Sequence, residues 1–115
     1  MRVNNLKPNI KLTIENPKSE SGSAFGPGIA RLCEGVKETG SLNAAAKSMG
    51  MAYSKAWRII KDTEAALGFQ MLVRDGAHGS TLTADCEKLL AAYHKLTEAL
   101  QTKSEADFKK LLGKK

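Results

Sequence analysis

Apolar residues recur along the chain with different spacings, and each spacing predicts a different kind of element. Residues 10–15 alternate apolar and polar side chains, which predicts one half-buried β-strand. Residues 16–28 are rich in Pro, Gly and Ser and predict a loop. Three stretches then place apolar residues three or four positions apart, and they predict helices over about 29–39, 42–49 and 53–67.

Glycines and hydroxyl side chains mark the ends of these helices. Gly40, Gly50 and Gly68 follow the three stretches, and glycine readily adopts the left-handed backbone conformation that ends a helix. Ser41 and Thr83 each precede a helical stretch and belong to the residue types that cap a helix N-terminus. The first three helices are therefore expected to be short and joined by tight turns.

The second half of the chain combines a hairpin pattern with a long helix. Residues 71–74 and 80–82 flank the turn-rich tip 75–79, which predicts a β-hairpin. A leucine-rich stripe at three- and four-residue steps predicts a last helix from Thr83 to about Leu100. The lysine-rich segment 101–115 is expected to add only a short amphipathic turn around Phe108. We expect a flexible N-terminal arm (1–9), one folded domain (10–100) and a basic C-terminal tail (101–115).

The order strand, three helices, hairpin, helix is that of a winged helix-turn-helix, a mainly α fold with a small β-hairpin wing. Such a fold needs small residues where two helices cross closely and a sharp turn between them. The run Ala44–Ala46 supplies the small residues, and Met49, Gly50 and Met51 supply the turn. The pattern therefore predicts a DNA-binding domain.

A recognition helix contacts base edges through its N-terminal residues. At this end the third predicted helix exposes Tyr53, Ser54, Lys55 and Arg58. Arg58 can form two hydrogen bonds to a guanine, and Lys55 suits a phosphate. The alternative is that both are ordinary solvated charges, as we expect for Lys61.

The predicted wing supplies a second set of contacts. Arg74, His78, Ser80 and Thr81 surround a glycine-containing tip that could enter a minor groove. Asp75 opposes this contact unless it pairs with Arg74. The full set of predicted DNA-binding residues is Ser41, Lys47, Tyr53, Ser54, Lys55, Arg58, Arg74, His78, Ser80 and Thr81.

The formal net charge of +6 lies mainly outside the predicted domain. Residues 28–100 contain nine Lys or Arg against eight Asp or Glu, so the excess of basic residues lies in the two terminal segments. Net charge alone therefore supports nucleic-acid binding only weakly, and the argument depends on where individual cations lie.

Other functional classes find little support. The acidic residues Glu34, Glu38, Asp62 and Glu64 are expected on exposed helix faces, without a catalytic arrangement. The segment 26–28 lacks the spacing and the Lys-Ser/Thr of a phosphate-binding loop. Trp57 is expected to pack against the last helix and the wing. We predict that the protein is not an enzyme and needs no cofactor.

Cys33 and Cys86 fall on inward helical faces and belong to no paired metal-binding spacing. We therefore interpret them as core thiols. The alternatives are zinc ligands, together with His78 and His94, and redox sensors. No apolar run is long enough to span a membrane, and the first residues lack the apolar core of a signal peptide. A cytoplasmic protein is expected.

The run from Glu38 to Arg58, ETGSLNAAAKSMGMAYSKAWR, resembles the N-terminal DNA-binding domain of molybdate-responsive (ModE-type) regulators. Segments on either side share this resemblance: 25–28 upstream, and Leu67-Gly68, Leu72-Val73-Arg74 and Leu82-Thr83 downstream. The resemblance covers roughly residues 10–100. It extends to the DNA-binding domain of LysR-type regulators, which are the broader relatives. It implies a homodimer formed by the N-terminal strand and the long last helix, bound to double-stranded DNA of roughly palindromic sequence.

The leucine-rich stripe agrees with a dimer, because it exceeds what one small core needs. The predicted interface residues are Leu89, Leu90, Tyr93, Leu96 and Leu100. A monomer whose last helix folds back is the alternative. Full-length molybdate regulators also carry oxyanion-binding domains, and no molybdate site can be assigned in this chain. The resemblance thus implies a stand-alone regulator or a fragment of a longer one.

The leading hypothesis is a sequence-specific transcription regulator. A protein-interaction module using the same scaffold would bind its partner independently of salt and of Arg58. A non-specific DNA binder would depend mainly on lysines in the terminal segments.

Overall fold

The structure, a computed structural model, describes residues 2–20, 24–76 and 79–113. Within these residues, four α-helices and one antiparallel two-stranded hairpin confirm the predicted winged helix-turn-helix fold. After a 3-10 turn at Arg2–Asn5, the elements are α1 (Pro27–Thr39), α2 (Leu42–Ser48), α3 (Tyr53–Leu67), β1 (Leu72–Asp75), β2 (Gly79–Leu82) and α4 (Ala84–Gly113). In the hairpin, Leu72 pairs with Leu82 and Asp75 with Gly79.

The predicted helix ends are confirmed by their hydrogen bonds. The Ser41 hydroxyl oxygen accepts a hydrogen bond from the backbone N–H of Ala44 at 3.0 Å and so caps α2. Thr83 Oγ1 likewise accepts from the backbone N–H of Cys86 at 3.2 Å. Gly50, in the turn between α2 and α3, has a φ of 68°, a left-handed conformation that a side chain would strain.

One apolar core joins the helices to the base of the hairpin. The largest fully buried side chains include Phe25, Leu32, Leu42, Ile60 and Met71. These five come from the segment before α1, from α1, α2 and α3, and from the residue before β1. Because each element contributes to the same core, the exposed faces of α3 and of the hairpin are held in a fixed relative position.

The crossing of α1 and α2 depends on small residues on both helices. A Cβ atom placed on Gly35 would lie 2.6 Å from the Cβ of Ala45, a distance that real Cβ atoms do not reach. The sequence assigned the alanines of α2 to its crossing with α3, and it did not single out Gly35 or the crossing with α1. The backbone of Gly35 therefore packs directly against the methyl group of Ala45 where the two helices cross.

Glu64 occupies a different environment from the exposed face that the sequence predicted. Its side chain is only 12% exposed, because the chain returns across this face of α3 on its way into β1. Oε2 accepts hydrogen bonds from the backbone N–H groups of Met71, at 2.7 Å, and Leu72, at 3.4 Å. The prediction was wrong for this residue, and its carboxylate ties the end of α3 to the start of the wing.

The predicted strand at residues 10–15 is also wrong. The segment keeps its alternation of exposed and half-buried side chains, but only Ile14 forms a β-bridge, with Phe25. Elsewhere the backbone bonds to side chains of α4: Ile10 N–H donates to Gln101 Oε1 at 2.9 Å, and Leu12 O accepts from the Tyr93 hydroxyl at 2.7 Å. A helix therefore takes the place of the neighbouring strand that the pattern implied.

The last helix is longer than predicted and has no break near Leu100. It contains 30 residues, a length of about 45 Å at 1.5 Å per residue. No Gly or Pro occurs between Ala84 and Leu112, so nothing in the backbone stops the helix, and the separate turn predicted around Phe108 does not form. The division of the chain at 9/10 and 100/101 remains a prediction.

The N-terminal segment lies along the distal half of α4. Gln101 Nε2 donates to Pro8 O at 2.7 Å, and Lys7 Nζ lies 3.5 Å from Glu105 Oε2. In the part of the chain that the structure describes, α4 included, no helix combines the length and apolar content that membrane crossing requires.

Gly35→Ala is expected to destabilise the protein by about 1–3 kcal/mol, because the new methyl group overlaps Ala45. The matched control is Gly28→Ala in the same helix, where a Cβ would meet nothing within 4 Å and stability should be unchanged or slightly raised. Urea unfolding followed by circular dichroism measures both. Equal stability of the two variants would contradict the close crossing.

Glu64→Ala is expected to cost about 1–3 kcal/mol, because it leaves the backbone N–H of Met71 without an acceptor. Glu64→Gln keeps an acceptor oxygen at this position and should lose clearly less. Thermal unfolding of the three proteins checks the order. If both variants lose the same stability, the loss does not come from the hydrogen bond between Glu64 and the Met71 N–H.

Candidate nucleic-acid interface

The outer face of α3 presents an uncovered polar surface at its N-terminal end. Tyr53 is 41% exposed, and Ser54, Lys55 and Arg58 are exposed beside it. The opposite face of the helix is buried through Ala56, Ile60, Thr63 and Ala66. The core thus orients α3 so that its residues predicted to contact DNA all face outward.

A cleft of about 390 Å³ lies where the beginnings of α2 and α3 meet the hairpin. It brings together four of the predicted DNA-binding residues, Ser41, Tyr53, Arg74 and Ser80. Its other lining residues include Asn43, which the sequence did not single out. Asn43 lies beside Ser41 at the start of α2, so its proximity to the wing becomes evident only in three dimensions.

The remaining predicted contacts are more scattered. Lys47 is exposed on the last turn of α2, and Thr81 is exposed on β2. The Ser80 residue lines the cleft but is only 5% exposed, so little of it is available to a ligand. His78 and the side chain of Asp75 lie outside the described part of the structure.

The side chain of Trp57 in α3 lies next to the wing, and its ring is close to one cation from each element, Lys61 of α3 and Arg74 of β1. The Arg74 guanidinium carbon is 5.3 Å and Lys61 Nζ 5.4 Å from the centre of its ring. Tyr53 contacts the ring edge-to-face at 6.3 Å between centroids. The predicted packing against the wing is thus seen at Arg74. Trp57 Nε1 is buried and has no hydrogen-bond partner among the described residues.

The two cysteines face each other inside the core. Cys33 in α1 and Cys86 in α4 are free thiols with 0% exposure, and their sulfur atoms are 3.7 Å apart. The hydrogen bond with Cys86, together with burial, raises the pKa of Cys33 above its ordinary value, so the thiol form is favoured. Among the described residues, no three His, Cys, Asp or Glu side chains are grouped to hold a metal ion.

The predicted interface residues divide into two groups along α4. Leu90 and Tyr93 are 3% and 4% exposed and belong to the chain's own core, and Leu89 packs half-buried against it. Burial also raises the pKa of Tyr93, whose hydroxyl already donates to Leu12. Leu96 and Leu100 are 44% and 37% exposed. Only the part of the stripe beyond Tyr93 is open to a partner.

Comparison with solved structures finds a similar fold in a protein that was solved in complex with DNA. The fold is similar to the protein in "Crystal structure of CbnR_DBD-DNA complex", with 25% sequence identity and a TM-score of 0.57. The match covers 74% of this chain and 94% of that one. Among curated proteins, the comparison finds no match.

The family comparison matches the part of the chain that builds the helix-turn-helix and the wing. The model of the bacterial regulatory helix-turn-helix proteins of the lysR family covers residues 30–87, from α1 to the first turn of α4. The resemblance to molybdate-responsive regulators stays a prediction, because the matched family is the lysR one. The match extends over half of the chain, and the protein therefore belongs to the lysR family of bacterial regulatory helix-turn-helix proteins.

Proposed function

We propose that the protein is a sequence-specific transcription regulator that binds double-stranded DNA through α3 and the wing, and that it catalyses no reaction. The observation that carries this proposal is the uncovered N-terminal face of α3, which lies next to a cleft shared with Arg74 of the wing. Reading base edges requires such a face, because a recognition helix enters the major groove with its N-terminal residues. The similarity to a DNA-binding domain solved with DNA supports the same conclusion.

Each exposed side chain in this region has a role that fits its chemistry. Arg58 can form two parallel hydrogen bonds to the O6 and N7 atoms of a guanine. Lys55 and Lys47 are flexible point charges suited to phosphates, which position the protein without reading sequence. Ser41 Oγ accepts its capping hydrogen bond and still has a proton to donate to a phosphate.

The wing supplies contacts to the neighbouring groove. Arg74 lines the cleft next to Tyr53, and Thr81 is exposed on β2. A guanidinium suits the narrow minor groove, where the electrostatic potential is most negative. We leave Ser80 out of the proposed contacts because it is buried. Because we propose that the protein acts on bacterial DNA, we also propose that it works in the cytoplasm.

We further propose that two copies associate through the distal part of α4. At 100° per residue, Leu96, Leu100 and Leu111 lie within about 60° of one another around the helix. Leu111 is 73% exposed, so this side presents three large apolar residues to solvent. A second copy that covers this face would place two α3 helices on one duplex.

Arg58→Ala is expected to weaken binding to the preferred duplex by about 1–3 kcal/mol, because one bidentate guanine contact is lost. The measurement is fluorescence anisotropy with duplexes from the region upstream of the gene and with a scrambled duplex, at several salt concentrations. The unaltered protein should prefer its site by about 10³-fold or more.

Lys95→Ala, an exposed change on α4, is the control and should leave the affinity unaltered. Equal and steeply salt-dependent affinity for every duplex would identify a non-specific DNA binder. Absence of binding even at low salt would contradict DNA binding and favour a protein-interaction module.

Leu96→Glu combined with Leu100→Glu is expected to shift the protein from dimer to monomer, because carboxylates cannot be buried in an apolar contact. Sedimentation velocity at several protein concentrations measures the shift. Ala91→Glu combined with Lys95→Glu, on another side of α4, should leave the dimer intact. A monomeric unaltered protein would contradict dimerisation through this face.

A further inference from the structure

A second cleft, of about 350 Å³, lies between α3 and β1, on the wing side of the recognition helix. Three of its lining side chains are cations, and they come from both elements: Arg58 and Lys61 from α3, and Arg74 from β1. Among the described residues, no carboxylate lines it; the other lining residues are Trp57, Gln70 and Leu72. The cleft is therefore suited to an anion.

The indole ring of Trp57 organises these cations. Lys61 and Arg74 both lie over the ring, at 5.4 Å and 5.3 Å from its centre, although they belong to different elements. A cation over an aromatic face is attracted by the ring's quadrupole, most strongly at tryptophan. The ring thus holds two long, flexible side chains at defined positions, which lowers the entropy that they lose when an anion binds.

Glu64 modifies this charge without cancelling it. Its Oε1 lies 3.6 Å from Lys61 Nζ, while Oε2 accepts the backbone N–H of Met71. Lys61 is 64% exposed and so remains accessible from solvent. With Glu64 counted against Arg58, Lys61 and Arg74, the surroundings of the cleft keep an excess of positive charge.

We infer that this cleft binds a backbone phosphate of the DNA, with Lys61 as a phosphate contact and Trp57 as the positioning residue that aligns Lys61 and Arg74. The inference depends on the proposed function. A duplex whose major groove holds α3, and whose minor groove meets the wing, must pass a phosphate strand across the space between the two elements. Lys61 thus joins the interface instead of being only a solvated charge.

The first experiment uses the fact that Trp57 is the only tryptophan in the chain. Its fluorescence therefore reports on this cleft alone. Iodide, an anionic quencher, should quench it more strongly than its exposure to neutral acrylamide implies, because the flanking cations attract the ion. Saturating duplex DNA should suppress iodide quenching several-fold, whereas inorganic phosphate at the same phosphate concentration should not.

Unaltered iodide quenching in the DNA-saturated protein would overturn the inference. If inorganic phosphate protects Trp57 and DNA does not, the cleft is a site for a small anion instead. Failure of the proposed function has a different signature, since the anisotropy of labelled DNA would then not change at all.

The second experiment removes the charge and the ring separately. Lys61→Gln should reduce the slope of log Kobs against log salt concentration by about 0.9, the contribution of one phosphate contact. Lys95→Gln is the matched control and should keep the slope. Trp57→Leu should weaken DNA binding about twofold to fivefold, as expected for loss of a cation–π contact near the surface.

A double-mutant cycle separates positioning from folding. If Trp57 acts through the two cations, Trp57→Leu should have a smaller effect in a protein that already carries Arg74→Gln, because only Lys61 is then left to be aligned. Trp57→Phe keeps an aromatic face and should retain most of the affinity, and thermal unfolding verifies that each variant is folded. Wild-type affinity and salt slope in both Trp57→Leu and Lys61→Gln, or fully additive losses in the cycle, would overturn the inference.

Discussion

The direct contact between α1 and α2 at Gly35 and Ala45 determines where the other elements can lie. α2 has only seven residues and could not be stable by itself, so its direction is set by this crossing and by the Ser41 cap. The left-handed turn at Gly50 then begins α3 at a fixed angle to α2. A wider crossing would therefore displace α2 and, through this turn, the start of α3.

The recognition helix and the wing are connected by two interactions of different kinds. Glu64 ties the two backbones together, while Trp57 collects cations from both elements at one ring. The local arrangement of these groups matters more than the total charge of the chain, because residues 28–100 are almost neutral. In the interface that we propose, individually placed cations would supply the contacts to DNA, because the nearly neutral domain attracts nucleic acid only weakly as a whole.

The sequence predicted those features that are encoded by neighbouring residues. The Ser41 and Thr83 caps, the terminating glycines and the periodicity of the helices are local, and the structure confirms them. Glu64 was misplaced because its acceptor role depends on Met71, seven positions later, returning across the helix. The outward residues of α3 followed from its period, but their proximity to Arg74 and Asn43 depends on tertiary packing that periodicity does not contain.

The side chain of Gln101 explains how residues 8–10 are held against α4 although they form no sheet. Its amide accepts from Ile10 N–H and donates to Pro8 O, so it presents the same donor and acceptor as a peptide group of an adjacent strand. A single side chain thus imitates one rung of a β-ladder from the surface of a helix. An ionised glutamate at this position could only accept and a lysine could only donate, so either substitution would give up one of the two hydrogen bonds that hold residues 8–10 against α4.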